Sequence, residues 1–470
     1  MSNISPTQQL KNLSLTLYAF DLKKGANSLG QLEPDTPAMW ERLANFGQDF
    51  NIEALVSLQQ KLVRPSLSQY PLPIEQNHQH SLLPKGEASI SFSVKRHLGN
   101  REYQIGGSLS PYQLSNDTDA VDLTLFFSDS ISLAQLNQLM LAQLLSSPDL
   151  RTALGQTWLL YAEVDAPRKD DRSLSKAVIT HTFGDQFLPE YHSEGKLLGH
   201  SIFEYSISAT ASTVPEQVLV WLNHSQLSGE ITALTENILY ILFARHKILY
   251  AYDQACICNQ RARGLYSNLE REVVQPFHEI SKAPNHLQQF KALLRTQLPQ
   301  QAFQYAQCLR NLSDYMTTLE TNIENYTQKV ELLGCSSETD LTFLRDFSML
   351  AENKHKKQVQ IYIEYLKPGQ ALFQQLIDTI RGLAELEQTE SDRRLETTIQ
   401  VLGVGLATSA IVGAGYGYLT KPWKQPFSTN TLHPFVGYLS VSFASAVIMG
   451  LITHRMTKRK ASASKGKLPR

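Results

Sequence analysis

Apolar and polar residues alternate with a period of two along the first half of the chain and with a period near 3.6 along most of the rest. Leu13, Leu15, Leu17 and Ala19 alternate with Ser14, Thr16 and Tyr18, and the same rhythm returns at Ile90, Phe92 and Val94. Residues 121–127, 158–164, 201–207 and 218–222 read as further strands, six in all, because successive side chains of a strand point to opposite faces of a sheet. Helical spacing intervenes over 39–62 and at Leu133, Leu136, Leu139, Met140 and Leu144. Residues 1–225 are therefore expected to form an α+β domain, a mixed sheet with helices on a face. The polar stretches 65–85 and 166–175 read as surface loops.

After residue 225 the pattern is almost purely helical, which predicts a helical stalk over 226–397. Ile231, Leu234, Ile238, Ile241, Ile248, Tyr252 and Ala255 form one stripe, interrupted by Arg245. Tyr305, Leu309, Leu312, Met316, Leu319, Ile323, Tyr326 and Val330 alternate by four and three residues, the spacing of a coiled-coil seam. A helix end is expected at Leu333–Glu338 and a third helix from Leu341. Pro368 and Gly369 predict a kink or break in it. Leu372, Phe373, Leu376, Ile377, Ile380 and Leu383 resume the stripe, and no breaker separates them from residue 399.

Two stretches, 399–419 and 435–453, contain no Asp, Glu, Lys or Arg. As helices they would be about 31 Å and about 28 Å long, close to the ~30 Å hydrocarbon core of a bilayer. Only Thr420–Pro434 lie between them, with three prolines, so residues 398–454 are expected to form a two-helix transmembrane hairpin. A buried hairpin in a soluble protein is the competing reading, but core helices carry a polar face that these stretches lack. Arg393 and Arg394 precede the first stretch; Arg455, Lys458, Arg459 and Lys460 follow the second and open a basic tail, 455–470. The positive-inside tendency places both flanks, and the large N-terminal part, on the cytoplasmic side. The N-terminus shows no cleavable signal pattern. The lipid bilayer is the first partner implied, with the six basic residues as its lipid-facing anchor.

Lys plus Arg is 43 and Asp plus Glu is 44, a formal charge of −1, which gives no reason to expect nucleic acid as a partner. Cys256, Cys258, Cys308 and Cys335 lack zinc-site spacing and read as reduced thiols. No enzyme constellation, cofactor motif or metal set emerges. His78 and His80 form an isolated pair in a loop, and His192, His200 and His224 have no diagnostic neighbours. Within the apolar stretches Gly405, Ser409, Gly413 and Gly417 recur every four residues, as do Ser442, Ala446 and Gly450. Small residues on one face let helix backbones approach closely in lipid. They would pack the hairpin, join subunits of a homo-oligomer, or line a pore. No ionisable side chain lies in either stretch, which argues against a proton relay.

The layout of α/β domain, long stalk helices, two-span C-terminus and basic tail resembles the CorA family of divalent-cation channels. Arg393-Arg394-Leu395 entering the first span and Tyr416-Gly417-Tyr418 leaving it carry the local similarity. That resemblance implies an oligomer with the first span lining a pore. The family's Gly-Met-Asn signature is absent, since Tyr418 and Leu419 follow Gly417, and the outer loop holds Lys421, Lys424 and His433 without a carboxylate. The main expectation is a non-enzymatic membrane protein whose α/β domain senses or scaffolds on the stalk, and the alternative is a divergent channel of this kind.

Overall fold

The computed structural model describes residues 5–23, 38–63, 80–98, 101–115, 117–138, 152–165, 171–184, 187–209, 216–224, 231–271, 286–335 and 338–387, together with 427–428 and 431–432. These divide into two compact units, one of residues 1–253 with 317–356 and one of 254–316 with 357–470.

The first unit is built on a ten-stranded mixed sheet. Its centre is β1 (Gln9–Leu22), flanked on both sides by antiparallel partners, β5 (Thr118–Phe127) and β7 (Gly155–Glu163). Outward from β5 lies β4 (Arg101–Ser115), whose far side pairs with β3 (Ile90–Leu98) and then β2 (His80–Ser81). Outward from β7 lie β10 (Glu216–Asn223), β9 (His200–Ala209) and β8 (Phe187–Leu197). β7 and β10 are parallel, and β6 (Ile131–Ser132) pairs with the start of β1.

The period of two sorts these strands into two faces. Leu13, Leu15, Leu17, Leu123, Leu125, Trp158, Leu160, Val218, Val220 and Tyr205 share one hydrophobic core with α1 (Ala38–Asp49) and α5 (Asp171–Phe183). The short α2 (Glu53–Val56), α3 (Leu58–Lys61) and α4 (Leu133–Gln138) also add to it. α1 contributes Met39, Trp40, Leu43 and Phe46, a helical spacing that turns one stripe inward. Its entry is fixed from the sheet: Met39 N–H donates to the Asp21 carboxylate at 3.0 Å, and the Trp40 indole donates to Asp119 at 2.9 Å.

The opposite face is covered by α6 (Ile231–Leu269), where Phe243 and His246 rest on Phe20 at ring separations of 5.9 and 5.4 Å. The C-terminal part of α7 (His286–Leu333) and α8 (Thr342–Leu350) complete this layer. A wide π-helical turn, Ala351–Lys356, joins α8 to α9 (Lys357–Glu387). The loop between α7 and α8 pairs with the sheet edge, with Lys196 and Asp340 exchanging backbone bonds of 2.8 and 2.7 Å.

All six expected strands form, and four more join them in the large sheet. β4 and β8 were unread because Gly106, Gly107, Pro111 and Pro189 interrupt their patterns. The glycines are required by packing: a Cβ at Gly106 or Gly107 would run into the ring of Phe126 or of Phe92. Pro189 is tolerated on the edge strand, where no ladder partner needs its missing N–H. The expected helix over 39–62 is three pieces, since Asn51 adopts a left-handed φ of 54° and turns the chain after α1. The expected loop over 166–175 is corrected from residue 171 onward, where α5 begins.

Every seam residue from Tyr305 to Val330 is buried except the half-buried Met316. In the first unit Tyr326 stacks on Phe347 at 5.2 Å; in the second Tyr305 stacks on Phe373 at 4.9 Å. The seam is thus occupied by this chain's own helices. α7 ends at Leu333 and α8 starts at Thr342, as the breaker pattern implies.

Of the kink or break expected at Pro368, the break is corrected, because α9 continues through it. Proline removes one helical hydrogen bond, but here the buried Tyr305 hydroxyl donates to the Leu366 carbonyl at 2.7 Å and ties this weak turn to α7. Gly369 makes that approach possible, since a Cβ there would strike the Tyr305 hydroxyl. Gly369→Ala should therefore lower unfolding free energy by about 1–3 kcal/mol in urea titration. Adding Tyr305→Phe should recover part of that loss, a non-additivity expected only of touching groups.

Candidate functional site

The strand face beneath α6 carries an uninterrupted polar row. Cross-strand register places Ser110, Asp122, Tyr18, Thr157, Gln217, Ser206 and Glu190 side by side across seven strands. Because α6 covers the middle of this row, its polar groups must satisfy one another.

Thr157 and Gln217 do so in a directed chain that leads back to α6. Thr157 donates its single hydroxyl proton to Gln217 Oε1 at 2.9 Å, so the 2.8 Å contact from His246 Nε2 requires His246 to donate to Thr157. Gln217 then donates through Nε2 to Glu204 Oε1 at 2.7 Å. Glu204 also receives Arg245 Nη2 at 2.6 Å and the Ser193 hydroxyl at 2.8 Å, and the Arg245 guanidinium lies 4.1 Å above the Phe347 ring. Arg245 and His246 are consecutive on α6, so one turn of that helix delivers both anchors. Burial pushes the His246 imidazole down to about 3, with the neighbouring Arg245 charge acting in the same direction, so the ring is neutral near pH 7.

Asp122 lies at the other end of the row. The Thr124 hydroxyl donates to it at 2.9 Å and in turn contacts Thr16 at 2.9 Å. Among the described residues no cation accompanies the carboxyl, and burial raises it to about 6 despite the opposing Thr124 bond. Directly across the ladder stands Tyr18, fully buried, whose hydroxyl has no hydrogen-bond partner among the described residues.

A second cluster sits at the sheet rim, where β10 ends and α5 begins. Asp171 Oδ2 accepts from Ser201 at 2.8 Å and from His224 Nε2 at 2.9 Å, while the His224 backbone N–H points to His200 Nδ1 at 3.4 Å. Burial and the adjacent His224 lower the His200 imidazole, with Glu338 opposing. Ser201 bonds to the acid and not to a histidine, so the order nucleophile, base, orienting acid is not built. Among the described residues no group of three or more His, Cys, Asp or Glu is placed to hold a metal ion.

Gly405, Ser409, Gly413, Gly417, Ser442, Ala446, Gly450, Arg393, Arg394, Arg455, Lys458, Arg459 and Lys460 all lie outside the described residues, as does His78. His192 contacts the hydroxyl of Ser206, a member of the polar row, at 2.9 Å. The four cysteines are free thiols, and burial raises those of Cys258 and Cys308. Neither cluster was recognised from sequence. The available signal was the run of Thr, Tyr, Asp and Gln at the second positions of otherwise apolar strands, which reads as a solvated face until a covering helix is known.

No protein family, curated protein or solved structure matches this chain.

Glu204 and Arg245 are both largely buried, with side chains 8% and 15% exposed. Removing one partner strands the other's charge, so Arg245→Met should cost about 3–5 kcal/mol of stability. The double variant Arg245→Met, Glu204→Leu should cost less than Arg245→Met alone when both are measured by urea unfolding.

Proposed function

We propose that this chain is an integral membrane protein that presents its sheet-and-helix body to the cytosol and holds it at the bilayer through the stretches 399–419 and 435–453. The observation that carries the reading is the pair of uncharged stretches with basic residues on their outer flanks. Among the described residues no helix is long and apolar enough to cross a membrane, and both stretches lie outside them. In the segment between the stretches, Phe427 pairs with Leu432 and Ser428 with Thr431, a tight antiparallel reversal compatible with a hairpin. The body acts as a sensing or scaffolding module and not as an enzyme: α6 covers the middle of the polar row, and the rim cluster lacks a nucleophile bonded to a base.

Membrane fractionation tests this. After lysis without detergent the full-length chain should sediment with membranes and resist carbonate extraction. Recovery in the high-speed supernatant would remove the anchor and with it any pore. The divergent channel reading is decided by a different measurement, the mass of the detergent-solubilised particle. A ring-sized oligomer with ion flux in liposomes, blocked by Gly417→Phe, would establish it, whereas a monomer or dimer would exclude it.

A further inference from the structure

Two titratable groups lie on the same sheet face, the half-buried Asp122 of β5 and, above it on α6, the buried His246, and among the described residues each has a threonine hydroxyl and no opposite charge as its partner. Asp122 lies among Ser110 and Tyr112 of β4, Thr16 and Tyr18 of β1 and Thr124 of its own strand. α6 faces this group with Glu236, which bears on Tyr112, and with Tyr240, which also receives Lys329 of α7 at 5.0 Å from its ring. His246 sits two turns along α6, against Phe20, Thr157 and Gly155. The remaining charges at this contact are already paired: Arg245 with Glu204, and Lys247 with Asp117 at 2.8 Å.

We propose that the contact between α6 and the sheet is a pH-responsive latch, in which Asp122 favours docking when it holds a proton and His246 favours docking when it does not. The signs follow from linkage. Docking raises the Asp122 carboxyl from its ordinary 3.8 to about 6, so its contribution is complete in acid and is lost as pH rises through about 6. Docking lowers the His246 imidazole from 6.5 to about 3, so its contribution is complete above 6.5 and is lost as pH falls toward 3. The two limbs overlap and oppose each other, which leaves the unaltered protein with a shallow response. The Tyr18 hydroxyl beside Asp122, without a hydrogen-bond partner among the described residues, gives entering water a donor when α6 lifts.

Hydrogen–deuterium exchange of the full-length chain, read on α6 peptides spanning residues 234–250 and corrected for intrinsic exchange, tests this between about pH 4.5 and 7.5. In Asp122→Asn the opening of α6 should increase on acidification only. In His246→Gln it should increase on raising the pH only. Each slope should reach at most about tenfold per pH unit, the limit for one proton. Slopes of the same sign in both variants, or curves matching the unaltered protein, would overturn the latch. Should His246→Gln fail to fold, Thr124→Val serves instead. It removes the bond that supports the Asp122 carboxylate and should move that limb to higher pH, and an unmoved limb would refute the proposal.

Discussion

The attachment of α6 to the sheet governs the first unit, and hydrogen bonds made by Arg245 and His246 fix where its apolar stripe rests. Strands Gln9–Leu22, Gly155–Glu163 and Glu216–Asn223 each bury both faces, but only one face is apolar throughout. On the other, His246, Thr157, Gln217, Glu204 and Arg245 form one connected network across three strands and the helix. A network of this sort is costly if any member is unpaired and specifying if all are paired. An apolar helix face could slide by a residue at little expense. Here such a slip would part Arg245 from Glu204 and His246 from Thr157 together, so the register of α6 is fixed at one turn.

The sheet that receives this helix is assembled from two halves that meet at their first strands. In the N-terminal half β1 is followed by helices and then a meander, β3, β4, β5, whose last strand returns beside β1. In the second half β7 is followed by α5 and then β8, β9, β10, whose last strand returns beside β7. The order is the same, but β5 runs antiparallel to β1 while β10 runs parallel to β7. The exposed end of the sheet is then closed by chain from elsewhere: Lys196 of β8 bonds Asp340, and Leu198 N–H reaches the Thr339 hydroxyl at 3.2 Å. Pairing an edge in this way denies it to other strands.

The strands were legible where their inward residues are large and uninterrupted, as at Leu13, Leu15 and Leu17 or at Val218, Val220 and Leu222. They were not legible where packing demanded glycine or where an edge admitted proline, because both residues erase the alternation that identifies a strand. The residues of the coiled-coil seam expected from Tyr305 to Val330 are buried apart from Met316, but the partners of that stripe were not legible, since period alone cannot say whether a stripe faces another helix of the same chain or a second copy. The break that was one expectation at Pro368 does not occur. Local chemistry weakens the helix there, and a tyrosine sixty-odd positions earlier in sequence holds the same turn through the Leu366 carbonyl. The polar row needed the most distant information of all, as Asp122, Tyr18, Thr157 and Gln217 become neighbours only through strand register.

Position within the row decides what each polar group can do. At its centre, Thr157, Tyr18 and His246 are out of reach of solutes, so protons and water are the only species able to act on them while α6 stays in place. At the rim, Asp171 and His224 keep 14% and 13% of their side chains exposed, enough to meet a solute but arranged with the acid between serine and histidine. That geometry ties β9, β10 and the start of α5 together, since one carboxylate oxygen accepts from two elements. Chemistry on a bound substrate would need the histidine to face the hydroxyl, and reorienting it would break the bond that holds the helix start. These bonds hold the layers of the body together, and they are the ones the proposed latch would load or release as one helix rests on or lifts from the sheet.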